Sequence, residues 1–353
     1  MSPDRPGRNP PLASPGASHP ATGREAPLPE PAGGRTLITV AFGPHHLEAI
    51  PAMVAAMRTH QTILLEEPPF PCFSDLLAGR LAIDDYLLQI DPGFPRFARA
   101  LCREVQHIHA HGHRILQVEP FLDGLAEIHE RFADGATPAA ILADEGLQDI
   151  YLAEKEATGA LIAFYAASRT DDFPALIEAV CTFARRDAAR IRLRDQLRAR
   201  AIRDLAATAP SLYVEAGFIH FDLFRLLRSA ATPGVRVEPL FLLQPEVDRL
   251  GVVRRNIGPG DVLTLHYVFH HRLPAARAGL LAARSLIAVQ LVAREELAPE
   301  AAAPFPHCAD DALVNRLVDR LDLEQCRRLH ARIRGVSRTE ALQLTRRLVG
   351  APD

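Results

Sequence analysis

The apolar positions of the first part of the chain alternate between short continuous runs and stretches with helical spacing. The run TLITVAFG, which begins at Thr36, is β-branched and apolar and ends in a glycine, as a buried strand does. Similar runs predict strands at residues 61–65, 114–118 and 211–216. Helical spacing predicts helices at residues 47–59 and 94–110. Because strands alternate with helices, the pattern predicts an α/β fold with a mainly parallel central sheet flanked by helices.

The alternation stops after the third strand. From about residue 121 to residue 209 the spacing is helical almost throughout, which predicts a helical insertion between the two halves of the sheet. Beyond the fourth strand, apolar runs at 235–243 and 262–269 predict further strands, and residues 273–297 predict a long helix. More helices should follow and form a helical C-terminus.

These patterns divide the chain into three parts. Residues 1–34 are rich in Pro, Gly, Ala and Ser and lack hydrophobic periodicity, so we predict a disordered Pro-rich tail. Residues 35–298 should form the α/β domain, including the insertion at about 121–209. A Pro-rich break at 304–306 lies near the start of a C-terminal helical segment, which we place at 299–353.

Composition narrows the class of protein. The net charge of −3 gives no electrostatic reason to expect a nucleic acid or an anionic membrane as partner. The five cysteines are odd in number, widely spaced and without a CxxC pair, which argues against a disulfide framework or a zinc ribbon. No apolar run approaches the ~20 residues of a membrane helix, and the N-terminus has no secretory signal. We therefore expect a cytoplasmic protein.

Two segments share the order strand, GxxH, helix. One contains Gly43 and His46, and the other contains Gly217 and His220. A glycine lets the chain turn sharply off a strand, and the histidine then lies at the carboxyl edge of the sheet, where open α/β folds bind ligands. The string alone carries little information, since a third copy occurs within residues 16–19. Its setting is what makes both histidines candidates.

Charged residues occur at the ends of other predicted strands and on the helix before the second GxxH segment. Glu66 and Glu67 end the second strand, and Glu119 ends the third, although carboxylates there could also be turn caps or a solvated pair. Arg194, followed by Asp195, lies on a basic helix before the second GxxH segment. A run of arginines on a helix is more often a solvated face.

In this order the residues resemble the superfamily of the TraB/GumN proteins, the Tiki proteins, the ChaN haem-uptake proteins and the erythromycin esterases. The matching residues are Gly43, His46, Glu66, Arg194, Gly217 and His220. The chain departs from the pattern at Pro44, where several members have glutamate, and at Leu197-Arg198, where the family has methionine and alanine. The second departure makes Arg190 an alternative to Arg194.

The resemblance implies a hydrolase that cleaves an amide or ester bond in a small-molecule or peptide substrate. In one route His46, Glu66 and His220 hold a divalent metal such as Zn²⁺, Mn²⁺ or Co²⁺, and Arg194 stabilises the oxyanion. In the other, a histidine acts as general base and Glu66 orients it, without a metal. The alternative is a non-catalytic protein of the same fold that binds a small molecule, a peptide or, less readily, haem. Pro44 favours this alternative.

A second group of histidines could bind a metal only in one conformation. His107, His109, His111 and His113 would share a face if the chain were extended, whereas on a helix only His107 and His111 are neighbours. The segment lies where a helix is predicted to end, and histidine is favoured at helix C-termini. We interpret it as a helix end. The oligomeric state has no signature in the sequence.

Overall fold

The computed structural model describes residues 36–252 and 256–351, so the predicted tail at 1–34 lies outside the described residues. Within them, five strands form one parallel sheet in the order β3-β2-β4-β1-β5. The strands are β1 Thr36–Phe42, β2 Thr62–Leu65, β3 Arg114–Gln117, β4 Ser211–Ala216 and β5 Val235–Phe241. The predicted fold class, a parallel α/β sheet flanked by helices, is confirmed.

The helices follow the strands as the spacing predicts. After a single 3₁₀ turn at Leu47–Ala49, the first part of the chain contains α1 Ile50–Met57, α2 Phe73–Leu77, α3 Ile83–Ile90 and α4 Pro95–Ala110. The insertion contains α5 Pro120–Ala133, α6 Pro138–Leu142, α7 Gln148–Ala167 and α8 Phe173–Ala206. The remainder contains α9 Phe221–Ser229, α10 Gln244–Arg249, α11 Pro259–Val268, α12 Ala275–Leu291, α13 Pro306–Val318, α14 Leu323–Ile333 and α15 Arg338–Val349.

The sheet is covered on both faces, as a parallel sheet requires. In β1, Val40 and Phe42 face one apolar cluster, which α8 and α9 complete. Ala41 faces the other cluster, which is built by α1 to α4. All three side chains are fully buried, which explains why this strand is a continuous apolar run instead of an alternating one.

The insertion positions charged residues over the sheet. Helix α8 is 34 residues long and starts at Asp172, whose side chain accepts a hydrogen bond from the backbone N–H of Ala175. Its last turns pack on the sheet through Ala199 and Ile202. The preceding turns therefore lie beside the carboxyl ends of the strands, where Arg194 reaches two strand-end carboxylates.

Two predictions beyond the fourth strand need correction. The apolar run at 262–269 is not a strand but most of α11, which begins with Pro259 in its first turn. Leu263 and Val268 of this helix are buried among α8 and its neighbours, so tertiary packing overrides the β-like composition. The long helix predicted at 273–297 ends at Leu291, because Val292 is extended.

The C-terminal helices do not stand apart from the rest. Helices α12 to α15 share one apolar cluster with the start of α8. The backbone N–H groups of His307 and Cys308 also donate to the buried carboxylate of Glu48, at 2.9 and 2.8 Å. Among the described helices, none is long and apolar enough to cross a membrane.

Candidate functional site

A cluster of largely buried charged side chains lies where β2, β3 and β4 end against α8. We call it the buried charge cluster. Its members are Glu66, Glu119, Arg194, Asp195, Arg198 and His220. The predicted residues Glu66, Arg194 and His220 are thus brought together, because the carboxyl ends of parallel strands share one edge of the sheet.

His220 is held between two carboxylates. Its Nδ1 lies 2.5 Å from Asp195 Oδ1, its Nε2 lies 2.9 Å from Glu66 Oε1, and its side chain is 3% exposed. Burial alone would lower the pKa of His220, but Glu66 and Asp195 outweigh it and raise the pKa to about 9. Asp195 also accepts the backbone N–H of Leu223 at 3.1 Å, which ties α8 to the start of α9.

Glu66 is the centre of the cluster. Its Oε2 accepts the backbone N–H of Gly217 at 2.7 Å and lies 3.6 Å from Arg198 Nη1. Arg194 lies 3.6 Å from the other oxygen. Burial would raise the pKa of Glu66, but His220, Arg198 and Arg194 outweigh it and hold the pKa well below its usual range. The carboxylate therefore stays ionised.

Two arginines complete the cluster from α8. Arg198 is 1% exposed and donates from Nε to the carbonyl of Val118 at 2.9 Å, whereas Arg194 donates to Glu119 at 3.2 Å. With His220 protonated, three cations face three carboxylates, so the charges balance. The sequence signal for Arg198 is its helical spacing from Arg194, which places both on one face of α8.

The geometry leaves His220 without a free lone pair. Both ring nitrogens are engaged by carboxylates, so neither can ligate a metal or accept a proton from water in this arrangement. Among the described residues, no group of three or more His, Cys, Asp or Glu side chains is placed to hold a metal ion. The predicted set of His46, Glu66 and His220 is not assembled.

His46 is the member that lies elsewhere. Its ring stacks on His307 with 3.8 Å between centroids and lines a separate cavity of about 210 Å³. Burial, with the charges of His307 and His45, lowers the pKa of His46 to about 4. The backbone of His46 is extended, so the side chains of residues 45 and 46 point to opposite sides. The neighbouring His45 is therefore the histidine that faces the ends of β2 and β4.

A larger pocket opens beside the cluster, between the ends of β2 and β4 and helices α2 to α4. We call it the edge pocket. It has a volume of about 480 Å³, and its polar lining residues include His45, Glu67, Gln117 and Glu215. This volume is in the range of small-molecule sites. The pocket lies at the edge of the sheet where ligands bind in open α/β folds.

His45 and Glu215 form an ion pair at this pocket. His45 Nε2 lies 3.4 Å from Glu215 Oε1, and the imidazole stacks on Phe97 with 5.3 Å between centroids. Burial would lower the pKa of His45, but Glu215 outweighs it and raises the pKa to about 9. Glu215 Oε2 also accepts the backbone N–H of Glu66 at 3.0 Å, which links the edge pocket to the buried charge cluster.

Glu67 is the second acidic group of the edge pocket. Its Oε2 accepts a hydrogen bond from Gln117 Nε2 at 2.7 Å, and the same amide donates to the Tyr86 hydroxyl at 3.1 Å. Burial and the charge of Glu215 raise the pKa of Glu67. A carboxyl group with a raised pKa is suited to act as a general acid.

Sequence reasoning missed His45 and Glu215 and ranked Glu67 below its neighbour. A signal for Glu215 was present, since a charged residue interrupts the apolar run of a central strand. For His45 none was available, because the choice between two adjacent histidines depends on the direction of the backbone. Arg190, the alternative to Arg194, pairs with Glu154 and Asp187 on the α7–α8 surface.

The four clustered histidines lie at a helix end, as interpreted. Helix α4 ends at Ala110, and the rings of His107 and His111 lie 4.2 Å apart, one turn from each other. The His113 ring donates from Nδ1 to the carbonyl of His60 at 2.7 Å. This hydrogen bond fixes the position of the chain just before β3 begins.

The fold and the site define an α/β protein with an all-parallel five-stranded sheet and a pocket lined in part by ionisable side chains at its carboxyl edge. An uncharacterized protein of Archaeoglobus fulgidus is 30% identical over 295 residues, which cover 83% of this chain and 97% of the archaeal one. At this identity and coverage the chain belongs to the family of that archaeal protein. No family model and no solved structure matches this chain.

Proposed function

We propose that the protein is a hydrolase that cleaves an ester or amide bond in the edge pocket. One observation carries the proposal: the His45–Glu215 ion pair and the buried acid Glu67 line the same ligand-sized pocket at the carboxyl edge of a parallel sheet. The resemblance to the Tiki, TraB and erythromycin-esterase superfamily supports hydrolysis through the order of its motifs. Membership of that superfamily is part of the proposal.

The geometry suggests a role for each group. Glu215 takes a proton from water as the water oxygen bonds to the carbonyl carbon, and the His45 imidazolium stabilises the oxyanion that forms. When the bond to the leaving group breaks, the protonated Glu67 donates its proton to the departing oxygen or nitrogen. Transfer of the proton from Glu215 to Glu67 restores the starting state.

The buried charge cluster positions these groups. The backbone N–H of Glu66 holds Glu215, while the Glu66 side chain binds the N–H of Gly217 beyond β4. His220, Arg194 and Arg198 keep Glu66 ionised and fixed. His220 and Arg194 are therefore positioning residues in this proposal. Since the predicted metal ligands do not converge, no step is assigned to a metal.

The adjacent histidines provide a matched test. Purified protein is assayed against a panel of p-nitrophenyl esters and p-nitroanilides. We expect His45→Gln and Glu67→Gln to lower kcat/KM by about 10²-fold or more, the usual range for a lost acid–base or oxyanion group. His46→Gln, and Glu145→Gln on the exposed surface, should retain activity. Retained activity in His45→Gln, or loss only in His46→Gln, would contradict this assignment.

A non-catalytic binding protein is the second candidate, and a specific observation favours it. Residue 44 is proline where several superfamily members have glutamate, and both nitrogens of His220 are engaged. The edge pocket would then bind a small molecule or peptide without turnover. Binding with no hydrolysis of any substrate in the panel would select this candidate.

We also propose that the protein acts in the cytoplasm. All five cysteines are free thiols, and four of them are buried. Free thiols persist in a reducing compartment, whereas exported proteins tend to pair them.

A further inference from the structure

The walls of the edge pocket are mostly apolar. They include Leu65, Phe70, Phe73, Ile90, Phe94 and Phe97. Helices α2, α3 and α4 supply most of this surface, and the ends of β2 and β4 supply the polar end. A ligand with an apolar body and one polar group matches this division, since the body gains from burial and the polar group reaches the acid–base residues.

The charges at the polar end discriminate between ligands. Among the described residues that line the pocket, His45 is the one cationic side chain, and it is paired with Glu215. The side-chain amides are engaged as well. Gln117 donates to Glu67 and Tyr86, and Gln89 donates to the carbonyl of Asp85. A bound carboxylate would thus be desolvated beside the carboxylate of Glu215, without an unpaired cation to compensate.

Resting on the proposed function, we infer that the substrate is an apolar ester or amide that carries no negative charge. Its acyl group, an aliphatic chain or ring, lies among the aromatic side chains of α2 to α4. Its carbonyl lies beside His45, Glu67 and Glu215. Hydrolysis releases a carboxylic acid. Once the proton has passed from Glu215 to Glu67 and the acid has lost its own proton to solvent, the product carboxylate lies beside the ionised Glu215. The pocket therefore repels the acid product, and this repulsion favours its release.

Binding of two matched compounds tests the charge selectivity without turnover. Hexanamide and hexanoate have the same chain and differ in charge, and their affinities can be measured by calorimetry at pH 7.5. We expect hexanoate to bind at least 10-fold more weakly, because like-charge contacts and unpaired buried charges are strongly unfavourable. Equal or tighter binding of hexanoate, or no binding of hexanamide, would overturn the inference.

Blocking variants show whether binding occurs in the edge pocket. Ala98→Trp fills the pocket from α4, and Gln89→Trp obstructs its mouth from α3 with little change in the core. Both should abolish hexanamide binding, whereas Ala110→Trp, at the exposed end of α4, should leave it intact. Should Ala98→Trp not fold, Gln89→Trp decides alone. Unchanged hexanamide affinity in a folded blocking variant refutes the location.

The two proposals fail in different ways. Selective binding of hexanamide with no hydrolysis of any panel substrate removes the hydrolase proposal and leaves the ligand class standing. Hydrolysis that depends on His45 and Glu67, together with tight hexanoate binding, removes the ligand class and leaves the hydrolase proposal standing.

Discussion

At the scale of single residues, the pKa values of two adjacent histidines are shifted in opposite directions. The pKa of His45 is raised to about 9 by its pairing with Glu215, which outweighs burial. The pKa of His46 is lowered to about 4 by burial beside His307. Near neutral pH, His45 is therefore a cation at the edge pocket and His46 a neutral ring in another cavity. This difference makes His45 the better candidate for oxyanion stabilisation.

The same residues predict the pH dependence of hydrolysis. The proposed mechanism needs His45 and Glu67 protonated, and both pKa values are raised. Activity that depends on the His45 cation should therefore fall as the pH rises through about 9. The raised pKa of Glu67 keeps its acid form available at higher pH than for an ordinary carboxyl group. A pH profile of kcat/KM on an uncharged ester checks this, after correction for spontaneous hydrolysis. A rate that keeps rising through pH 10 would exclude a protonated His45 as the stabilising group.

At the scale of secondary-structure elements, the two GxxH glycines serve different purposes. Neither Gly43 nor Gly217 has a positive φ, so a left-handed turn is not the reason for glycine. A Cβ at Gly43 would lie 2.6 Å from Leu242 Cδ1, whereas at Gly217 the nearest neighbours would be 3.8 Å away. Gly43 leaves room for the Leu242 side chain, which follows β5.

Because of this contrast, alanine substitutions at the two glycines should change the free energy of unfolding by different amounts. Gly43→Ala should lower the free energy of unfolding by about 1–3 kcal/mol, the usual effect of forcing extra volume into a packed site. Gly217→Ala should change it by less than about 1 kcal/mol, since its Cβ meets only ordinary contacts. Urea denaturation of both variants measures the difference. Equal effects would show that the Leu242 side chain moves aside freely.

Helix α8 is joined to the sheet by buried charges. The arginines on this helix differ in how far they are buried. Arg198 is buried and faces Glu66, whereas Arg200, two residues later, is exposed. Arg198→Met should lower the free energy of unfolding by about 3–5 kcal/mol, because it leaves Glu66 with less compensation. Arg200→Met should remain within about 0.5 kcal/mol of the wild type.

Denaturant titration at pH 7 checks this pair. An Arg198→Met variant with the same free energy of unfolding as the wild type would mean that Arg194 and His220 suffice to keep Glu66 ionised. An equally destabilising Arg200→Met would mean that helix α8 itself is sensitive to the substitution, so that the buried charge would not be the cause.

At the scale of the whole molecule, the buried charge cluster links three strand ends to α8 and α9, so its ionisation affects global stability. The pKa of His220 is raised from 6.5 to about 9 in the folded protein. Its contribution is therefore complete below pH 6.5 and is lost as the pH rises through about 9. The difference corresponds to roughly 3 kcal/mol. The pKa of Glu66 is lowered, so its contribution is lost in acid.

We accordingly expect the free energy of unfolding to fall between pH 7 and pH 9.5 in the wild type and to be nearly flat in His220→Gln. Urea denaturation across this range measures both. His45→Gln is the control: its pKa is also raised, but its side chain is 45% exposed, so solvent screens its contribution and the fall should persist. An unchanged slope in His220→Gln would show that His220 is not the titrating group.

Much of the fold follows from periodicity along the chain. Strands β1 to β5 and the helices of the insertion were predicted, because buried parallel strands and amphipathic helices have different spacings. The run at 262–269 was misassigned as a strand, because apolar and β-branched residues suit either a strand or a helix buried on several sides. Only its neighbours, α8 and α12, decide between these structures.

The site divides in the same way. The meeting of Glu66 and His220 was predictable from the sequence, because residues that end parallel strands share one edge, and so was an arginine from the preceding helix beside them. Three features depend on tertiary packing: His45 rather than His46 faces this edge, Asp195 and Arg198 complete the charge balance, and Glu67 and Glu215 line an open pocket. The reason is physical: which strand ends carry polar groups is a local property, whereas the direction, burial and partner of each side chain depend on distant segments packed against it.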